Sequence, residues 1–178
     1  MLRAKSDFSL ILFGASGHLA GLKIFPALYF MALKKRFPAH FSVIGYARSE
    51  MDDVGFRAQF AEAVRKNVPA VNEGVLTELL THIHYQQGQY DDLAAYKALA
   101  LKVQTLEEGA KKPVRIAYFS VPPTLFGIVA KNLCAAGVHE SASSHKGHFR
   151  CIVEKPVGHD GKSAEGIWKA LTQCFSAE

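Results

Sequence analysis

The stretch that decides the fold reads Phe8-Ser-Leu-Ile-Leu-Phe13, followed directly by Gly14-Ala-Ser-Gly17-His-Leu-Ala20. Strand, tight turn and helix in this order are the setting in which glycines bind the pyrophosphate of a dinucleotide. Gly14 would make the turn, Gly17 would let the phosphates approach the main chain, and Ala20 would let the helix pack on the strand. Ordinary strand-to-helix turns also use glycine, so a plain turn is the alternative interpretation.

The composition is that of one globular domain spanning residues 1–178. Hydrophobic residues make up 49% of the chain and charged residues 21%, so the chain is long enough to bury a sizeable core. The net charge of +5 comes from basic residues scattered along the sequence. A scattered excess suits an anionic small ligand, whereas nucleic-acid binding usually needs a clustered basic face. We therefore expect no nucleic-acid partner.

The start of the chain and its cysteines bear on location. Arg3 and Lys5 precede the first apolar run, but Asp7 interrupts the pattern and the run is shorter than a signal-peptide core. No segment has the length of a membrane span.

The chain has three cysteines, Cys134, Cys151 and Cys174, and no two of them have Cys-x-x-Cys spacing. We therefore expect a cytoplasmic protein with reduced thiols rather than a disulfide framework, and no membrane contact.

Strand-like and helix-like patterns alternate along the chain. The predicted strands are 8–13, 41–46, a short one near Tyr85, 114–121 and 149–153. The first predicted helix covers 19–37, with a kink at Pro26. The second is capped by Asp52 or Asp53 and ends near Asn67, and the third is capped by Asn72 and has Ile83 in its apolar pattern. The others run through Tyr96 and Leu99, from Thr124 as the cap to Gly137, and over 162–175. This alternation predicts an α/β fold: a doubly wound, mainly parallel Rossmann-type sheet with helices on both faces.

Arg48 bears on the type of dinucleotide. In an NAD-binding unit, an acidic residue after the second strand usually accepts hydrogen bonds from the ribose 2′-hydroxyl. Here that strand ends in Gly45-Tyr-Ala-Arg-Ser49, which puts a guanidinium at this place. A guanidinium forms charge-assisted bonds with a 2′-phosphate, so the sequence favours NADP. The alternative is a solvated loop cation, paired with Glu50.

Two further strand ends are candidates for the same site. Glu154-Lys155-Pro156 follows the last strand, which puts Lys155 at the carboxyl edge, where open α/β sheets bind their ligands. Val121-Pro-Pro-Thr124 follows the fourth strand. With Phe126, it either forms a wall beside a nicotinamide ring or simply stops the strand, with Phe126 in the core.

Metal and hydrolase sites are disfavoured. The histidines pair as His82 with His84 and as His145 with His148, but no cysteine or acidic residue completes a ligand set nearby. Ser16 lacks the glycine spacing of a nucleophile elbow. The sequence therefore predicts neither a metal site nor a nucleophilic serine.

Together the motifs resemble the coenzyme domain of the glucose-6-phosphate dehydrogenase family. The shared motifs, in family order, are Gly14–Ala20, Lys23, Phe25-Pro26, Gly45–Ser49, Gly88–Asp92, Pro122–Thr124, Lys131-Asn132, and Glu154-Lys155-Pro156 with Gly158 and Asp160. The resemblance implies a cofactor site for NADP made by Gly14, Ala15, Ser16, Gly17, His18, Leu19, Ala20, Arg48, Tyr90 and Lys155. It also implies that Arg48 meets the 2′-phosphate and that Lys155 contacts the sugar phosphate substrate.

The same resemblance implies an activity. The family transfers a hydride from C1 of glucose 6-phosphate to NADP, the step that opens the oxidative pentose phosphate pathway. Its general base is a histidine in an Arg-Tyr-Ile-Asp-His-Tyr-like segment that would lie beyond Glu178, in a C-terminal substrate domain through which a homo-oligomer would form. Residues 1–178 contain no such segment. Since removing a hydride from a carbinol needs a base for the hydroxyl proton, we expect no catalytic residue in this chain, and cofactor binding without turnover.

The sequence departs from the family pattern at four places. His18 stands for an aspartate, Gly21-Leu22 for a basic pair, Phe126 for a common tyrosine and Val157 for an aromatic residue. His18 cannot carry the negative charge of the aspartate, so we expect the cofactor affinity to differ from that of the family.

Two other functions are weighed against this one. Sugar or inositol dehydrogenases of a broader type also combine a dinucleotide fold with Glu-Lys-Pro, but they lack the motifs at Gly45–Ser49 and Gly88–Asp92. The other alternative is a free-standing dinucleotide-binding or regulatory module without catalysis, which would act with a separately encoded catalytic subunit.

Overall fold

The computed structural model describes residues 4–139, 149–154, 161–172 and 175. A five-stranded parallel sheet with the order β3-β2-β1-β4-β5 forms its centre. The strands are β1 (Phe8–Phe13), β2 (Phe41–Ala47), β3 (Ile83–Gln87), β4 (Val114–Phe119) and β5 (Phe149–Val153). The helices are α1 (Phe25–Leu33), α2 (Asp53–Asn67), α3 (Glu73–Leu80), α4 (Leu93–Leu106), α5 (Phe126–Ala135) and α6 (Gly161–Thr172). The predicted doubly wound, Rossmann-type fold is confirmed.

Two apolar layers, one on each face of the sheet, hold the fold together. Side chains alternate between the faces of a strand, and β1 contributes Leu10 and Leu12 to one layer and Ile11 and Phe13 to the other. Helices α1, α2 and α3 cover the first layer, and α4, α5 and α6 cover the second. Because both faces are covered, β1 reads as a continuous apolar run rather than an alternating one.

The helix after the glycine turn is irregular at its start. Pro26 does not kink a long α-helix; it follows a π-helical turn over Ala20–Ile24. In that turn the N–H of Phe25 donates to the carbonyl of Ala20. Proline lacks an N–H and crowds the preceding turn, so a wider turn before it accommodates the ring.

The same helix ends earlier than predicted. The structure ends α1 at Leu33, so the prediction of an end at Phe37 is wrong. Lys35 takes a φ of 52°, and the N–H of Arg36 donates to the carbonyl of Met31 at 2.9 Å. This is a Schellman ending, which satisfies the last carbonyls of a helix. The signal was missed because a lysine stands where glycine usually does.

The end of α5 is as predicted, but its start is not. Gly137 takes a φ of 70°, and the N–H of Val138 donates back to the carbonyl of Leu133 at 3.0 Å, which confirms the left-handed ending. The predicted Thr124 cap is wrong, because Thr124 lies in a 3₁₀ turn before α5 and the helix has no side-chain cap.

Two other boundaries shift. Strand β4 ends at Phe119 rather than Val121. Ile83 belongs to β3 rather than to the helix before it, because its parallel pairing with Val43 outweighs the helical spacing of its apolar neighbours.

The cysteines differ from expectation. Cys134 is in a disulfide, contrary to the prediction of reduced thiols, while Cys151 is a free thiol. Spacing along the chain does not report which sulfur atoms meet in the fold. Within the described residues, none of the helices is both long and apolar enough to cross a membrane.

Candidate functional site

The carboxyl edge of the sheet gathers three of the predicted motifs. The strands β1, β2 and β3 are neighbours and parallel, so the segments that follow them meet at one edge, where open α/β sheets bind ligands. Main-chain hydrogen bonds join these segments: the N–H of Gly14 donates to Tyr46 at 2.9 Å, and the N–H of Gly88 donates to Ala47 at 3.0 Å.

Gly14 makes the turn, and no other residue type fits there without strain. Its φ is +80°, and a Cβ at this position would lie 2.2 Å from the carbonyl oxygen of Ser120. The N–H of Gly17 closes the turn on the carbonyl of Gly14 at 2.9 Å. The loop therefore runs tight against the residue that follows β4.

The rest of the loop divides into packing residues and outward-facing residues. Ala15 and Ala20 are buried, whereas Gly17, His18 and Leu19 are exposed and Ser16 is half-buried. The helix begins at His18, and the first turn of a helix offers N–H groups that have no acceptor within the helix. Such a start, beside an open glycine turn, is a ready anion site and fits a pyrophosphate.

Packing beneath the loop depends on Gly45 in β2. A Cβ there would lie 2.4 Å from the Phe56 ring and 2.8 Å from the Cβ of Ala15. The strand therefore lacks a side chain where α2 and the glycine turn press against it. This gives the glycine of the motif Gly45–Ser49 a structural reason.

Arg48 lies where a cation was expected, beyond the end of β2. Among the described residues it pairs with no carboxylate, Glu50 included. Its Cζ instead lies 5.8 Å from the centroid of the Tyr90 ring, within the range of a cation–π contact. Its guanidinium is exposed and forms no ion pair with a described residue.

Tyr90 lies between Arg48 and the glycine turn. It is 9% exposed, and its burial raises the pKa of its phenol, although the charge of Arg48 and the main-chain amide of Gly14 oppose the rise. The phenol is therefore neutral at physiological pH. Tyr90 thus contacts both parts of the candidate site.

The sequence analysis assigned no role to Ser49, whose hydroxyl joins the site through the predicted site residue Ser16. The Ser49 Oγ donates to the Ser16 Oγ at 2.9 Å, which ties the residue after Arg48 to the glycine turn. Ser49 lies inside the motif that pointed to Arg48, so its position was a usable signal. Nothing along the chain showed that it would meet Ser16, 33 residues away.

The strands β4 and β5 present a different set of groups at this edge. Phe126 is 1% exposed and its ring centroid lies 5.4 Å from that of Phe119, so Phe126 lies in the core and is not part of a wall beside a nicotinamide ring. A role of Val121-Pro-Pro-Thr124 in such a wall stays a prediction. The Tyr118 hydroxyl donates to the Glu154 carboxylate, and burial together with that carboxylate raises the pKa of Tyr118 to about 12.

Two sequence predictions fall on residues outside the described part of the chain. Lys155, expected at the cofactor and the substrate, follows β5 but is not among the described residues. Glu178, beyond which the resemblance put the general-base histidine, also lies outside them. Both the role of Lys155 and the absence of a catalytic residue up to Glu178 therefore stay predictions.

The histidines near β3 have structural partners. The His82 ring stacks on Phe41 at 4.1 Å, and the His84 Nδ1 lies 3.2 Å from the Asp53 carboxylate. Among the described residues, no group of three or more histidine, cysteine or acidic side chains could hold a metal ion. The pair His145 and His148 lies outside the described residues.

Comparison with known proteins shows the family to which the chain belongs. Residues 11–178 match the family model described as the glucose-6-phosphate dehydrogenase, NAD binding domain. The chain is 38% identical over 170 residues to glucose-6-phosphate 1-dehydrogenase 3, chloroplastic, of Arabidopsis thaliana, covering 94% of this chain and 27% of that protein. It is 32% identical to the glucose-6-phosphate 1-dehydrogenase of Dictyostelium discoideum, covering 97% of this chain and 33% of that protein.

Solved structures give the same result. A glucose-6-phosphate dehydrogenase in complex with glucose 6-phosphate superposes with a TM-score of 0.82 at 30% identity, covering 98% of this chain and 36% of that one. The enzyme from Mycobacterium avium superposes with a TM-score of 0.81 at 26% identity, covering 97% of this chain and 35% of that one. The chain thus spans about a third of the length of these relatives. Because the match runs from within β1 to the last residue, the chain belongs to the family of the NAD-binding domain of glucose-6-phosphate dehydrogenase.

Proposed function

We propose that this chain is the NADP-binding part of a glucose-6-phosphate dehydrogenase, an enzyme that oxidises glucose 6-phosphate to the lactone. The observation that carries the choice of NADP is the Arg48 guanidinium, which pairs with no described carboxylate and lies against the Tyr90 ring. A 2′-phosphate would find there a planar cation with its donors free. An acidic residue, which would favour NAD, is missing from this place.

The residues of the edge would share the work of binding. The N–H groups of Gly14, Ala15 and Gly17 already donate to main-chain carbonyls. The first-turn N–H groups of the helix that begins at His18, together with the helix dipole, would therefore hold the pyrophosphate beside the glycine turn. Arg48 would hold the 2′-phosphate, with the linked hydroxyls of Ser16 and Ser49 as further donors beside it. When bound, NADP would supply the hydride acceptor; this chain's residues position and neutralise it.

The substrate side of the proposal rests on Lys155 and on the family. Lys155 follows β5 and is next in sequence to Glu154, which pairs with Tyr118. A lysine at the carboxyl edge is suited to neutralise sugar phosphate oxygens. Residues 1–178 contain no histidine segment like the one that serves as general base in the family. We therefore propose that residues 1–178 alone bind NADP without oxidising glucose 6-phosphate.

A titration of residues 1–178 with NADP and with NAD tests the cofactor assignment. We expect tighter binding of NADP, and we expect Arg48→Ala to remove most of the preference while changing NAD affinity little. Loss of a charge-assisted contact costs about 1.5–3 kcal/mol, which is a ratio change of roughly 10- to 150-fold. Lys97→Ala, on the exposed side of α4, is the matched control for removing a cation. Equal binding of both cofactors by the unchanged chain would refute the proposal.

A second measurement addresses turnover. We expect no NADPH formation above background when residues 1–178 are mixed with NADP and glucose 6-phosphate. The reaction needs a base to accept the C1 hydroxyl proton, and the sequence of residues 1–178 contains no segment like the one that carries this base in the family. Sustained NADPH production by the purified chain would contradict this.

The cytoplasmic location stays a prediction from the sequence; the Arabidopsis thaliana relative is named chloroplastic.

A further inference from the structure

Three buried polar side chains converge on the main chain of the loop after β3. The Tyr46 hydroxyl, from β2, donates to the carbonyl of Gln89 at 2.8 Å. The Tyr96 hydroxyl, from α4, donates to the carbonyl of Tyr90 at 3.1 Å. The Asn132 Nδ2, from α5, donates to that same Tyr90 carbonyl at 3.0 Å. Three separate elements therefore fix two consecutive residues of the loop.

Asn132 is unusual in its surroundings. It is 7% exposed and lies on the side of α5 that buries Val129, Ala130 and Leu133 in the second apolar layer. An amide placed in an apolar layer without a partner is unfavourable, and an apolar side chain of similar size would pack there as well. The bond to Tyr90 gives the amide nitrogen a partner and connects α5 directly to the candidate cofactor site.

The loop has little freedom to take another path. A Cβ at Gly88 would lie 2.2 Å from the Tyr46 hydroxyl oxygen and 2.5 Å from the Cβ of Ala95, so the main chain passes in close contact with β2 and α4. The Tyr90 carbonyl, with two donors on it, sets the direction in which the Tyr90 ring leaves the loop. That ring is the surface against which the Arg48 guanidinium lies.

We propose that Asn132 is a positioning residue for recognition of the 2′-phosphate: through the Tyr90 carbonyl it holds the ring that orders Arg48. Tyr96 acts in the same way from α4. Arg48 is an exposed, flexible side chain on its own, and ordering it before the ligand arrives reduces the entropy that binding must otherwise lose. The inference rests on the proposed function, since it requires Arg48 to meet the 2′-phosphate.

The test is calorimetric titration of residues 1–178 and their variants with NADP and with NAD. Asn132→Leu keeps the branching and the number of heavy atoms of the side chain and removes its donor. Tyr96→Phe removes the hydroxyl that is the other donor to the Tyr90 carbonyl. We expect each to lower the NADP-over-NAD affinity ratio by about three- to tenfold, or about 0.7–1.4 kcal/mol. Binding of NAD, which has no 2′-phosphate, should change little.

Ser42→Ala is the control. Its hydroxyl is also buried and donates to the Ser9 Oγ at 3.2 Å, but at the opposite edge of the sheet, so it should leave the ratio unchanged. Tyr96→Phe keeps the test decisive if Asn132→Leu does not fold.

The outcomes separate this inference from the proposed function. If Arg48→Ala abolishes the NADP preference and both Asn132→Leu and Tyr96→Phe keep it, the positioning role is overturned and the cofactor assignment survives. If Arg48→Ala itself leaves the ratio unchanged, both are overturned. A fall in the ratio with either variant, absent in Ser42→Ala, supports the inference, because a merely structural role would weaken NAD and NADP alike.

Discussion

Single glycines show how one residue meets both a local and a distant constraint. Gly14 has a φ of +80° and Gly109 a φ of +83°, so each takes the left-handed conformation that other residues adopt only with strain. They differ in surroundings. A Cβ at Gly14 would meet the Ser120 carbonyl, while a Cβ at Gly109 would meet no atom within 4 Å.

This difference predicts the effect of two matched substitutions. Gly109→Ala should destabilise the chain by about 1–2 kcal/mol, the cost of a left-handed alanine. Gly14→Ala should destabilise it more, because main-chain atoms of β1 and β4 must also separate, and it should abolish cofactor binding. Urea unfolding measures the first effect and titration the second. Equal destabilisation by both variants would show that the contact with Ser120 is unimportant.

At the scale of elements, the free edge of β3 is occupied by charged side chains. The Arg57 Nε donates to the carbonyl of Ile83 at 2.7 Å, and the N–H of Tyr85 donates to the Asp53 carboxylate at 2.7 Å. The Lys102 Nζ donates to the carbonyl of Tyr85 at 2.5 Å and to Asp53 at 2.8 Å. An edge strand satisfied in this way offers few main-chain groups to another strand, which protects it against edge-to-edge pairing.

The same cluster shifts the pKa values of two groups, the Asp53 carboxyl and the His84 imidazole. Burial by itself would raise the pKa of Asp53, but hydrogen bonds from Lys102, Tyr85 and His84 lower it overall. Burial lowers the pKa of His84, although the Asp53 carboxylate opposes this. His84 is therefore neutral near pH 7 and donates from Nδ1 to Asp53, and both groups favour the folded state when they are deprotonated.

This arrangement predicts a loss of stability on acidification. A histidine with a lowered folded-state pKa binds a proton more readily when unfolded, so its contribution is present above about pH 6.5 and falls as the pH drops below that value. The matched variant is His84→Gln, which keeps a donor to Asp53 but does not titrate. Relative to this variant, the unchanged chain should lose up to about 1.4 kcal/mol of unfolding free energy for each pH unit that the pH falls between the pKa of His84 in the unfolded state and its pKa in the folded state. Urea unfolding at several pH values measures it; parallel curves for the two chains would contradict the prediction.

Across the whole molecule, the amino edge of the sheet holds a second polar network. Arg115 and Glu107 form a buried ion pair, in which the Arg115 Nη2 lies 2.6 Å from the Glu107 Oε2. Ser9 donates to Glu107 at 3.0 Å, and the Arg115 Nη1 donates to the carbonyl of Val138 at 2.8 Å. The network joins β1, β4, the end of α4 and the segment after α5, at the edge opposite the candidate cofactor site.

Breaking this network should affect stability and not cofactor choice. Glu107→Ala leaves Arg115 buried without its carboxylate and should cost about 3–5 kcal/mol. Replacing both partners, as Glu107→Leu with Arg115→Met, should cost clearly less, because no buried charge remains. Denaturant unfolding measures both, and the NADP-over-NAD ratio should stay unchanged in the folded double variant. A double variant less stable than Glu107→Ala would contradict this account.

Local chemistry made part of the fold predictable from the sequence. The caps Asp52 and Asn72 were predictable because each accepts from an N–H three residues ahead, at 2.7 Å from Gly55 and 3.1 Å from Val75. Strand β1 and the turn at Gly14 follow equally from an apolar run and a residue free to take positive φ. Predictions failed where a distant partner intervened, as when pairing with β2 drew Ile83 into a strand.

The sequence by itself therefore determined the alternating α/β order, the glycine turn and the cation at Arg48, because each depends on a few neighbouring residues. Only the tertiary structure decided that Phe126 lies in the core, that Tyr90 lies against Arg48, and that Asn132, 42 residues from Tyr90, donates to its carbonyl. The physical reason is one of range. Main-chain conformation and capping act within one helical turn, whereas packing and buried hydrogen bonds join residues whose separation along the chain carries no signal.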